Sequence, residues 1–310
     1  MTSQDLEISV VIPVYRSKTM LAELHERLSL ALEKLGLSYE IVFVDDNSSD
    51  GSWEELVALA DKDSHIRLVQ LTKNFGQQRA VLCGLRYSRG RFVVTLDDDL
   101  QQRPSEIALL YEAIKHSDAD VVVGRYEKKK HGPIRALGTW LVKRVAQLTI
   151  GIPKELELTS FRIIRRQIVD EVVKLRSTNP IVGFLLFHIT HRISNITVSH
   201  DPRRNGKSSY SLKGLIDYFL CMVIDYSDLP LRFVGWVGFL SWISSIGLAL
   251  NYLRLYLLNR IGVSGFMTQV LLLLFFSGVI LMTLGIIGSY LIRILRASNQ
   301  MEMYIVRRER

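Results

Sequence analysis

The chain has 310 residues, of which 48% are hydrophobic, and its formal net charge is +8 at neutral pH. This length allows one large domain or two smaller units, and the hydrophobic content suits a well-buried core together with a more apolar segment. The two cysteines, Cys83 and Cys221, lie in apolar helical patterns, which excludes a disulfide framework and a zinc site built on paired cysteines. The positive charge suits a protein on an anionic membrane surface, and nucleic-acid binding is the weaker explanation.

Two hydrophobic patterns alternate along the first 125 residues. Continuous apolar runs of strand length predict buried strands, and apolar positions three to four residues apart predict amphipathic helices. The predicted strands are 8–14, 40–46, 66–72, 91–99 and 120–125. The predicted helices are 19–35, 52–63, 77–88 and 105–116. Such alternation is typical of βαβ units, so we expect a Rossmann-like α/β domain, with a mostly parallel sheet and helices on both faces.

Polar side chains collect where these predicted strands end. They are Pro13 and Tyr15 after the first strand, Asp45 and Asp46 after the second, Asp97–Asp99 after the fourth and Gly124–Arg125 after the fifth. In open parallel sheets the ligand crevice lies beyond the carboxyl ends of the strands. Loops are polar in any protein, but acidic pairs at the ends of two separate strands indicate a binding site.

Three successive carboxylates, Asp97, Asp98 and Asp99, follow an apolar run. Like charges this close repel, so either a cation compensates them or their pKa values rise. Mg²⁺ and Mn²⁺ prefer oxygen ligands and are usually held by one or two carboxylates together with phosphate oxygens. In an extended stretch Asp97 and Asp99 would point to one side and Asp98 to the other, and Gln101 would add an amide oxygen. The alternative is a cap for the helix that begins near Pro104.

Beyond the fifth predicted strand the alternation loosens. The basic segment 127–138 predicts a loop, which is either a lid over a ligand or a solvated surface. Helices are predicted at 134–149 and 163–175. A second basic, turn-rich segment at 199–211 precedes apolar positions with helical spacing over 212–223, which fit either an interfacial helix or an ordinary core helix.

Two segments near the C-terminus have the composition of membrane spans. Residues 233–250 and 261–292 contain no Asp, Glu, Lys, Arg or His, and a bilayer core requires about 20 apolar helical residues. We therefore predict transmembrane helices at roughly 233–253 and 266–291. The alternative is a buried helical hairpin in a soluble protein.

The expected topology places both ends of the chain in the cytosol. No signal peptide is recognisable, so the first 230 residues are expected to remain cytosolic. Two spans would return the C-terminus to the same side, and the arginines of the tail fit the positive-inside rule. The expected organisation is a cytosolic domain at 1–210, an interfacial helix at 211–230, two spans at 231–295 and a cytosolic basic tail at 296–310.

Several motifs occur in order along the chain: VVIPVYRS, VDDNSSDGS, NFGQQRAVLCGL, LDDDLQQRP, GRYE, TSFRIIRR and RRNGKSSYSLKGLI. Together they resemble those of the family 2 inverting glycosyltransferases with the GT-A fold. The similarity is to the branch that loads a sugar onto a polyprenyl phosphate, which includes dolichol-phosphate mannose synthases and bacterial undecaprenyl-phosphate glycosyltransferases. It covers nearly the whole chain, including both predicted spans.

The resemblance implies that a sugar is transferred from a UDP- or GDP-linked donor to a polyprenyl phosphate, undecaprenyl or dolichyl. It implies Mg²⁺ or Mn²⁺ as the cofactor and a catalytic domain at the cytosolic face of a bacterial inner membrane. The expected partners are the nucleotide sugar, the lipid phosphate and the membrane. Nucleic acid is not expected, and a homo-oligomer is left open.

The resemblance also implies roles for individual residues. The donor nucleotide would contact Pro13, Tyr15, Asp45, Asp46, Asp97 and Asp98. The metal ligands would be Asp97, Asp99 and Gln101. Catalysis would depend on Asp98, Asp99 and Arg203. The acceptor phosphate would bind Arg125, Arg135, Arg203, Arg204, Lys207 and Ser208.

The chain departs from the family pattern at two places. Residues 16–18 read Arg-Ser-Lys where the family usually has Asn-Glu-Glu, so an acidic donor contact is missing or moved. Residues 159–162 read Thr-Ser-Phe-Arg and lack a glycine that relatives often carry before the phenylalanine. Two rival functions remain: a processive polysaccharide synthase, whose Gln-x-x-Arg-Trp motif is absent, and an inactive membrane scaffold, against which the intact Asp97 and Asp99 argue.

Overall fold

The computed structural model describes residues 6–126, 151–177, 179–199, 201 and 303–310, with residue 147 and scattered single positions between 247 and 298. The chain divides into two compact units. The first consists of Met1–Lys143, Ile152–Ser209 and Gln300–Arg310, and the second consists of Arg144–Gly151 and Tyr210–Asn299. The continuous described stretches belong almost entirely to the first unit.

The described part of the first unit contains an eight-stranded sheet. Its strands are β1 (Ile8–Val14), β2 (Tyr39–Asp45), β3 (Ile66–Leu71), β4 (Phe92–Thr95), β5 (Val121–Tyr126), β6 (Arg162–Arg165), β7 (Ile193–Val198) and β8 (Val306–Glu309). Their order across the sheet is β7-β5-β6-β4-β1-β2-β3-β8. The central strands β4, β1, β2 and β3 are parallel, whereas β6 is antiparallel to both of its neighbours and β8 is antiparallel to β3.

Helices cover both faces of this sheet. They are α1 (Lys18–Leu35), α2 (Ser52–Ala60), α3 (Gln77–Tyr87), α4 (Ile107–Lys115), α5 (Arg166–Val172) and α6 (Val182–Ile189), with a 3₁₀ turn at Pro104–Glu106. The apolar stripes of α1, α2 and α4 pack into one buried cluster with one face of the strands. Those of α3, α5 and α6 pack into a second cluster on the other face. Burial on both faces explains why the central strands are continuous apolar runs.

The predicted α/β class is confirmed, and the five predicted strands and the first four predicted helices are present. Most of their ends shift by one to three residues, but the fourth strand, predicted to reach residue 99, ends at Thr95. The sheet is mixed, however, because β6 and β8 run against their neighbours. The prediction of one helix over 163–175 was partly wrong, since the chain first forms β6 and then the short α5. Ile163 and Ile164 are buried on opposite faces of the sheet, and two adjacent apolar residues give no period that separates a strand from a helix.

The last described residues belong to the sheet. The sequence predicted a basic tail at 296–310, and within it Val306–Glu309 forms the edge strand β8, paired with β3. Among the described residues, no helix is long and apolar enough to cross a bilayer. The predicted helix 134–149, the predicted interfacial helix and the two predicted spans lie outside the described residues, apart from isolated positions.

Candidate active site

The carboxyl ends of β1, β2 and β4 are adjacent in the sheet, and strained backbone marks each of them. Arg16, Asn47 and Leu100 follow these three strands and have positive φ angles of 56°, 58° and 58°. Such angles are uncommon for residues other than glycine, and they concentrate at functional sites because the surrounding structure must impose them. The strand ends that the sequence identified as polar therefore lie along one edge of the sheet, and each is followed by a residue with left-handed backbone.

Asp98 connects the loop after β4 to the loop after β1. Its Oδ2 accepts a hydrogen bond from the Tyr15 backbone N–H at 3.1 Å and another from the Ser17 hydroxyl. Burial of the carboxyl raises the pKa of Asp98 to about 6, although the Ser17 hydrogen bond acts in the opposite direction. Ser17 lies in one of the two segments that depart from the family pattern, and here it supplies a donor to an acid of the motif.

Asp97 points to the opposite side, where three side chains donate to it. Its Oδ1 accepts from the Gln77 amide at 2.7 Å, and its Oδ2 accepts from the Gln102 amide at 2.9 Å and the Ser160 hydroxyl at 2.5 Å. Burial raises the pKa of Asp97, and the nearby charge of Asp99 raises it further, while the Ser160 hydrogen bond lowers it. In the described residues, hydrogen bonds to Asp97 and a raised Asp97 pKa thus both compensate the repulsion between the neighbouring carboxylates.

Gln102 is the buried centre of this network. Its amide nitrogen lies 2.7 Å from the Ser160 hydroxyl and 2.9 Å from the Tyr126 hydroxyl, and its Oε1 accepts from the Asp97 backbone N–H at 2.9 Å. Thr159 donates to the Gly124 carbonyl at 2.7 Å, which holds the 159–162 segment against β5. The segment that lacks the usual glycine is therefore held in place, and it positions the Ser160 hydroxyl to donate to Asp97.

A buried cation lies behind Asp97. Arg162 is 4% exposed and donates from Nε to the Thr95 hydroxyl at 3.2 Å. Desolvation lowers its pKa to about 10, while the negative charge of Asp97 acts to raise it. At neutral pH the guanidinium therefore stays charged and offsets part of the negative charge at the end of β4.

Asp45 is fully buried at the end of β2. Its Oδ1 accepts from the Ser48 backbone N–H at 3.1 Å, and its Oδ2 accepts from the Gln70 amide at 2.8 Å. The structure thus places Asp45 beneath the loop after β2. Direct contact between its carboxylate and a nucleotide, which the resemblance implied, stays a prediction.

Asp46 holds the loop before α3. Its Oδ1 accepts from the Phe75 N–H at 2.7 Å, and its Oδ2 accepts from the Gly76 N–H at 2.8 Å. Burial raises the pKa of Asp46, and the two backbone hydrogen bonds act to lower it. Gly76 has a φ of 90° and ψ of 152°, a conformation that favours glycine, so the carboxylate fixes a loop that needs this residue.

The segment before the basic RRNGKSSY motif is tied to residues that follow the aspartate loop (Asp97–Leu100). The Asp201 N–H donates to the Gln101 carbonyl at 2.9 Å, and the Gln101 amide donates to the Asp201 carbonyl at 3.3 Å. Arg103 binds the Asp201 carboxylate with two nitrogens, at 3.0 and 2.6 Å. Asp201, two residues before the basic motif in the sequence, is therefore fixed beside the residues that follow the aspartate loop.

The other predicted site residues differ in position. Pro13 is buried in β1, Tyr15 is 42% exposed after it, and Arg125 is exposed near the end of β5. The remaining predicted phosphate ligands lie outside the described residues: Arg135, Arg203, Arg204, Lys207 and Ser208.

The aspartate loop does not continue as an extended strand. The chain turns at Asp98 and Asp99, and Leu100 has left-handed backbone, so the expected alternation along an extended stretch was wrong. Within the described residues, no group of three or more His, Cys, Asp or Glu side chains could hold a metal ion. Asp97 and Asp99 still fit a hard divalent cation that brings further ligands, because both offer carboxylate oxygens and their mutual repulsion raises the pKa of Asp97.

The sequence analysis did not single out four residues of this network: Gln77, Gln102, Ser160 and Arg162. Each lies inside a motif that was recognised, namely NFGQQ, LDDDLQQ or TSFR. The available signal was a polar side chain beside buried apolar positions within those motifs. Their common target, Asp97, is visible only after β6, α3 and the aspartate loop come together.

Comparison with known proteins identifies the family of this chain. The sequence model of Glycosyl transferase family 2 matches residues 9–173. An undecaprenyl-phosphate 4-deoxy-4-formamido-L-arabinose transferase from Sodalis glossinidius is 32% identical, over 97% of this chain and 93% of the relative. An uncharacterized glycosyltransferase from Bacillus subtilis, YkcC, is 27% identical, over 99% of this chain and 95% of the relative.

Solved structures show the same fold. Glucosyl-3-phosphoglycerate synthase from Mycobacterium tuberculosis, crystallised with Mn²⁺, UDP and glucosyl-3-phosphoglycerate, superimposes with a TM-score of 0.55. The match covers 71% of this chain and 78% of that one at 17% identity, so it shows the fold and no more. This is the GT-A fold that the motifs implied. The chain is a glycosyltransferase and belongs to glycosyl transferase family 2.

Proposed function

We propose that this enzyme transfers a sugar from a nucleoside-diphosphate donor to a polyprenyl phosphate, with inversion at the anomeric carbon, at the cytosolic face of a bacterial membrane. One observation carries the proposal: the segment after β4 is tied through Asp98 to the loop after β1 and through Gln101 to Asp201. One short segment after β4 therefore contacts both the proposed donor site and Asp201, which precedes the basic motif by two residues in the sequence.

The donor half of the site is the crevice at the ends of β1, β2 and β4. The parallel central strands make this edge the expected position for a nucleotide. Because the structural relative named above was crystallised with UDP and Mn²⁺, a UDP-linked sugar is the donor to test before a GDP-linked one.

Asp97 and Asp99 are the residues that would hold Mg²⁺ or Mn²⁺, with Gln101 next to them. When bound, such an ion stabilises the negative charge that develops on the departing diphosphate. The protein contributes the position of the acids: Gln77, Gln102 and Ser160 orient the Asp97 carboxylate through hydrogen bonds of 2.5 to 2.9 Å.

The acceptor half requires positive charge more than a base. A phosphate monoester has its second pKa near ~6, so it is largely a dianion at neutral pH and is already a nucleophile. Arginine offers a planar pair of donors that matches phosphate oxygens. Arg203 and Arg204, with Lys207 and Ser208, are the proposed socket, and Arg125 and Arg135 add positive charge. Direct attack by a phosphate oxygen on the anomeric carbon would invert its configuration.

A membrane position is supported by the apolar runs of the C-terminal third. Residues 201 and 303–310 belong to the same compact unit. Any crossings of a bilayer by the chain between them would therefore be even in number, and two predicted spans are compatible with that. The polyprenyl acceptor is supported by relatives named as undecaprenyl-phosphate transferases, at 32 to 34% identity.

The test is transfer by the full-length protein in detergent, with a panel of UDP- and GDP-sugars and undecaprenyl phosphate, with and without EDTA. We expect the enzyme to add a single sugar to the lipid phosphate. No product should form in the presence of EDTA, or when undecaprenol is supplied instead of undecaprenyl phosphate. Donor turnover that needs no lipid phosphate would contradict the acceptor assignment. A growing polymer would indicate a processive synthase, and no metal-dependent nucleotide binding would indicate a scaffold.

A further inference from the structure

We propose that Arg308, in the C-terminal strand β8, is a positioning residue for the donor nucleotide and acts through Gln70 and Asp45. The proposal rests on the proposed function, because it takes the end of β2 as part of the donor site. It assigns a role to a strand that follows the predicted membrane spans, far from every recognised motif.

Three side chains form a relay from the edge of the sheet to the end of β2. Arg308 donates from Nε to Gln70 Oε1 at 2.7 Å, and Gln70 donates from Nε2 to Asp45 Oδ2 at 2.8 Å. Asp45 then accepts from the Ser48 N–H with its other oxygen at 3.1 Å. The relay therefore joins residues on β8, β3 and β2, which are neighbours in the sheet.

The chemistry of the three groups gives the relay one direction only. An arginine can donate hydrogen bonds and cannot accept them, and an ionised carboxylate can only accept. Gln70 must therefore turn its oxygen to Arg308 and its NH₂ group to Asp45. Without the guanidinium, only Asp45 would select this orientation of the Gln70 amide, and the Gln70 oxygen would lose the charged donor that holds the side chain in place.

Packing and register hold Arg308 in place. In the register of the sheet Gln70 lies opposite Arg308, and Asp45 lies opposite Gln70. The guanidinium lies 4.6 Å from the centre of the Trp53 ring of α2, at a distance typical of a cation–π contact. Backbone hydrogen bonds of 2.7 and 2.9 Å join Leu68 to Arg310 and complete the strand.

The relay extends to the loop that contacts the aspartates. The Ser48 hydroxyl accepts from the Arg16 N–H at 3.0 Å, and the neighbouring Tyr15 N–H donates to Asp98. Disturbing Asp45 would therefore disturb the Ser48 turn and the strained backbone at Arg16. Such a shift is expected to weaken donor binding and to leave the lipid-phosphate half of the site unchanged.

The experiment compares full-length variants by UDP titration calorimetry in the presence of Mn²⁺ and by transfer kinetics. We expect Arg308→Ala to raise the Kd for UDP and the donor KM about tenfold. The kcat at saturating donor and the KM for undecaprenyl phosphate should remain within about twofold. In Arg308→Lys, which keeps a charged donor, part of the UDP affinity should return.

The matched control is Arg310→Ala. Arg310 directly follows β8, and its replacement removes an ion pair with Asp61 but leaves the relay intact. It should lower the Tm to a similar degree without changing UDP affinity. A double variant, Gln70→Ala with Arg308→Ala, should bind UDP no more weakly than Gln70→Ala alone, because both changes break the same relay.

Two outcomes distinguish the possible failures. If Arg308→Ala weakens UDP binding no more than Arg310→Ala does, β8 only stabilises the fold and the positioning role is wrong. If the wild-type protein binds neither UDP nor GDP, the proposed function itself fails, and the role of Arg308 fails with it.

Discussion

Two acidic clusters lie at the carboxyl edge of the sheet, and they differ in what surrounds their oxygens. Asp45 and Asp46, after β2, are buried and accept hydrogen bonds from Gln70 and from loop backbone. Asp97 and Asp99, after β4, are half-buried beside a loop with strained backbone. The first cluster holds loops together, whereas in the second Asp97 is held by side chains from three separate segments.

The difference shows that an acidic residue at a strand end can have either of two roles: it can hold a loop in shape, or it can belong to the proposed metal site. The N–H groups that Asp46 binds belong to a loop with a special backbone at Gly76, so its role is to shape the site. The donors to Asp97 are side chains from α3, from the 159–162 segment and from Gln102, two residues after the aspartate loop. Replacing an acid of each kind should therefore affect different measurements.

The largest expected effect is on activity, from Asp99→Asn. This change removes a charge at the proposed metal site, and we expect transfer to fall by about 10³-fold or more. The Tm should stay close to that of wild type, since Asp99 is half-buried. Asp118→Asn, at an exposed acid between α4 and β5, is the matched control and should be fully active. An Asp99→Asn enzyme with a tenth of wild-type activity would contradict the assignment.

Arg203→Ala tests the acceptor half of the site. Loss of a charged phosphate contact should raise the KM for undecaprenyl phosphate by about 30-fold, which corresponds to about 2 kcal/mol. UDP affinity, measured on the same variant, should change little. Equal loss of lipid and nucleotide binding would show that Arg203 belongs to the donor half.

Asp46→Asn is expected to act on stability. The asparagine NH₂ group would face one of the N–H donors of Phe75 and Gly76, so a hydrogen bond is lost in a buried place. The free energy of unfolding in urea should fall by about 2 kcal/mol. A variant with unchanged stability and strongly reduced activity would reverse the contrast between the two clusters.

The last expected effect, and the smallest over any single pH unit, is the pH dependence contributed by Asp98. Its pKa is about 6 in the folded protein against 3.8 for the ordinary group, so the folded state holds this proton more tightly than the unfolded state. The contribution of Asp98 to the free energy of unfolding is therefore largest below pH 4 and declines as pH rises to 6, by at most ~1.4 kcal/mol per pH unit.

The measurement is urea unfolding at several pH values between 4 and 7, for wild type and Asp98→Asn. The difference between the two proteins in free energy of unfolding should change across the lower part of this pH range and level off above pH 6. A constant difference would mean that the folded protein does not raise the pKa of Asp98.

Much of the fold was predictable because it depends on local pattern. The apolar runs of β1, β2 and β3 and the stripe of α1 are properties of consecutive residues, and their predicted ends differ from the observed ones by a residue or two. Strand β6 was missed because it has only four residues, and its partners β4 and β5 lie far away in sequence.

Of the candidate site, the sequence predicted the strand ends, the aspartate loop and the family. It did not reveal that Gln102, Ser160 and Gln77 meet at Asp97. No local pattern marks those contacts, because a hydrogen bond such as that from Ser160 to Asp97 joins residues 63 positions apart.

The sequence by itself determined the alternating strands and helices, the order of the motifs and the position of the acids after β2 and β4. These follow from hydrophobic period and residue type, which neighbours along the chain carry. Only the tertiary structure decided which acids bond to loop backbone, which accept from side chains, and that Arg308 reaches Gln70 across 238 positions. Burial and hydrogen-bond partners are properties of the packed chain, and the packing brings distant residues together.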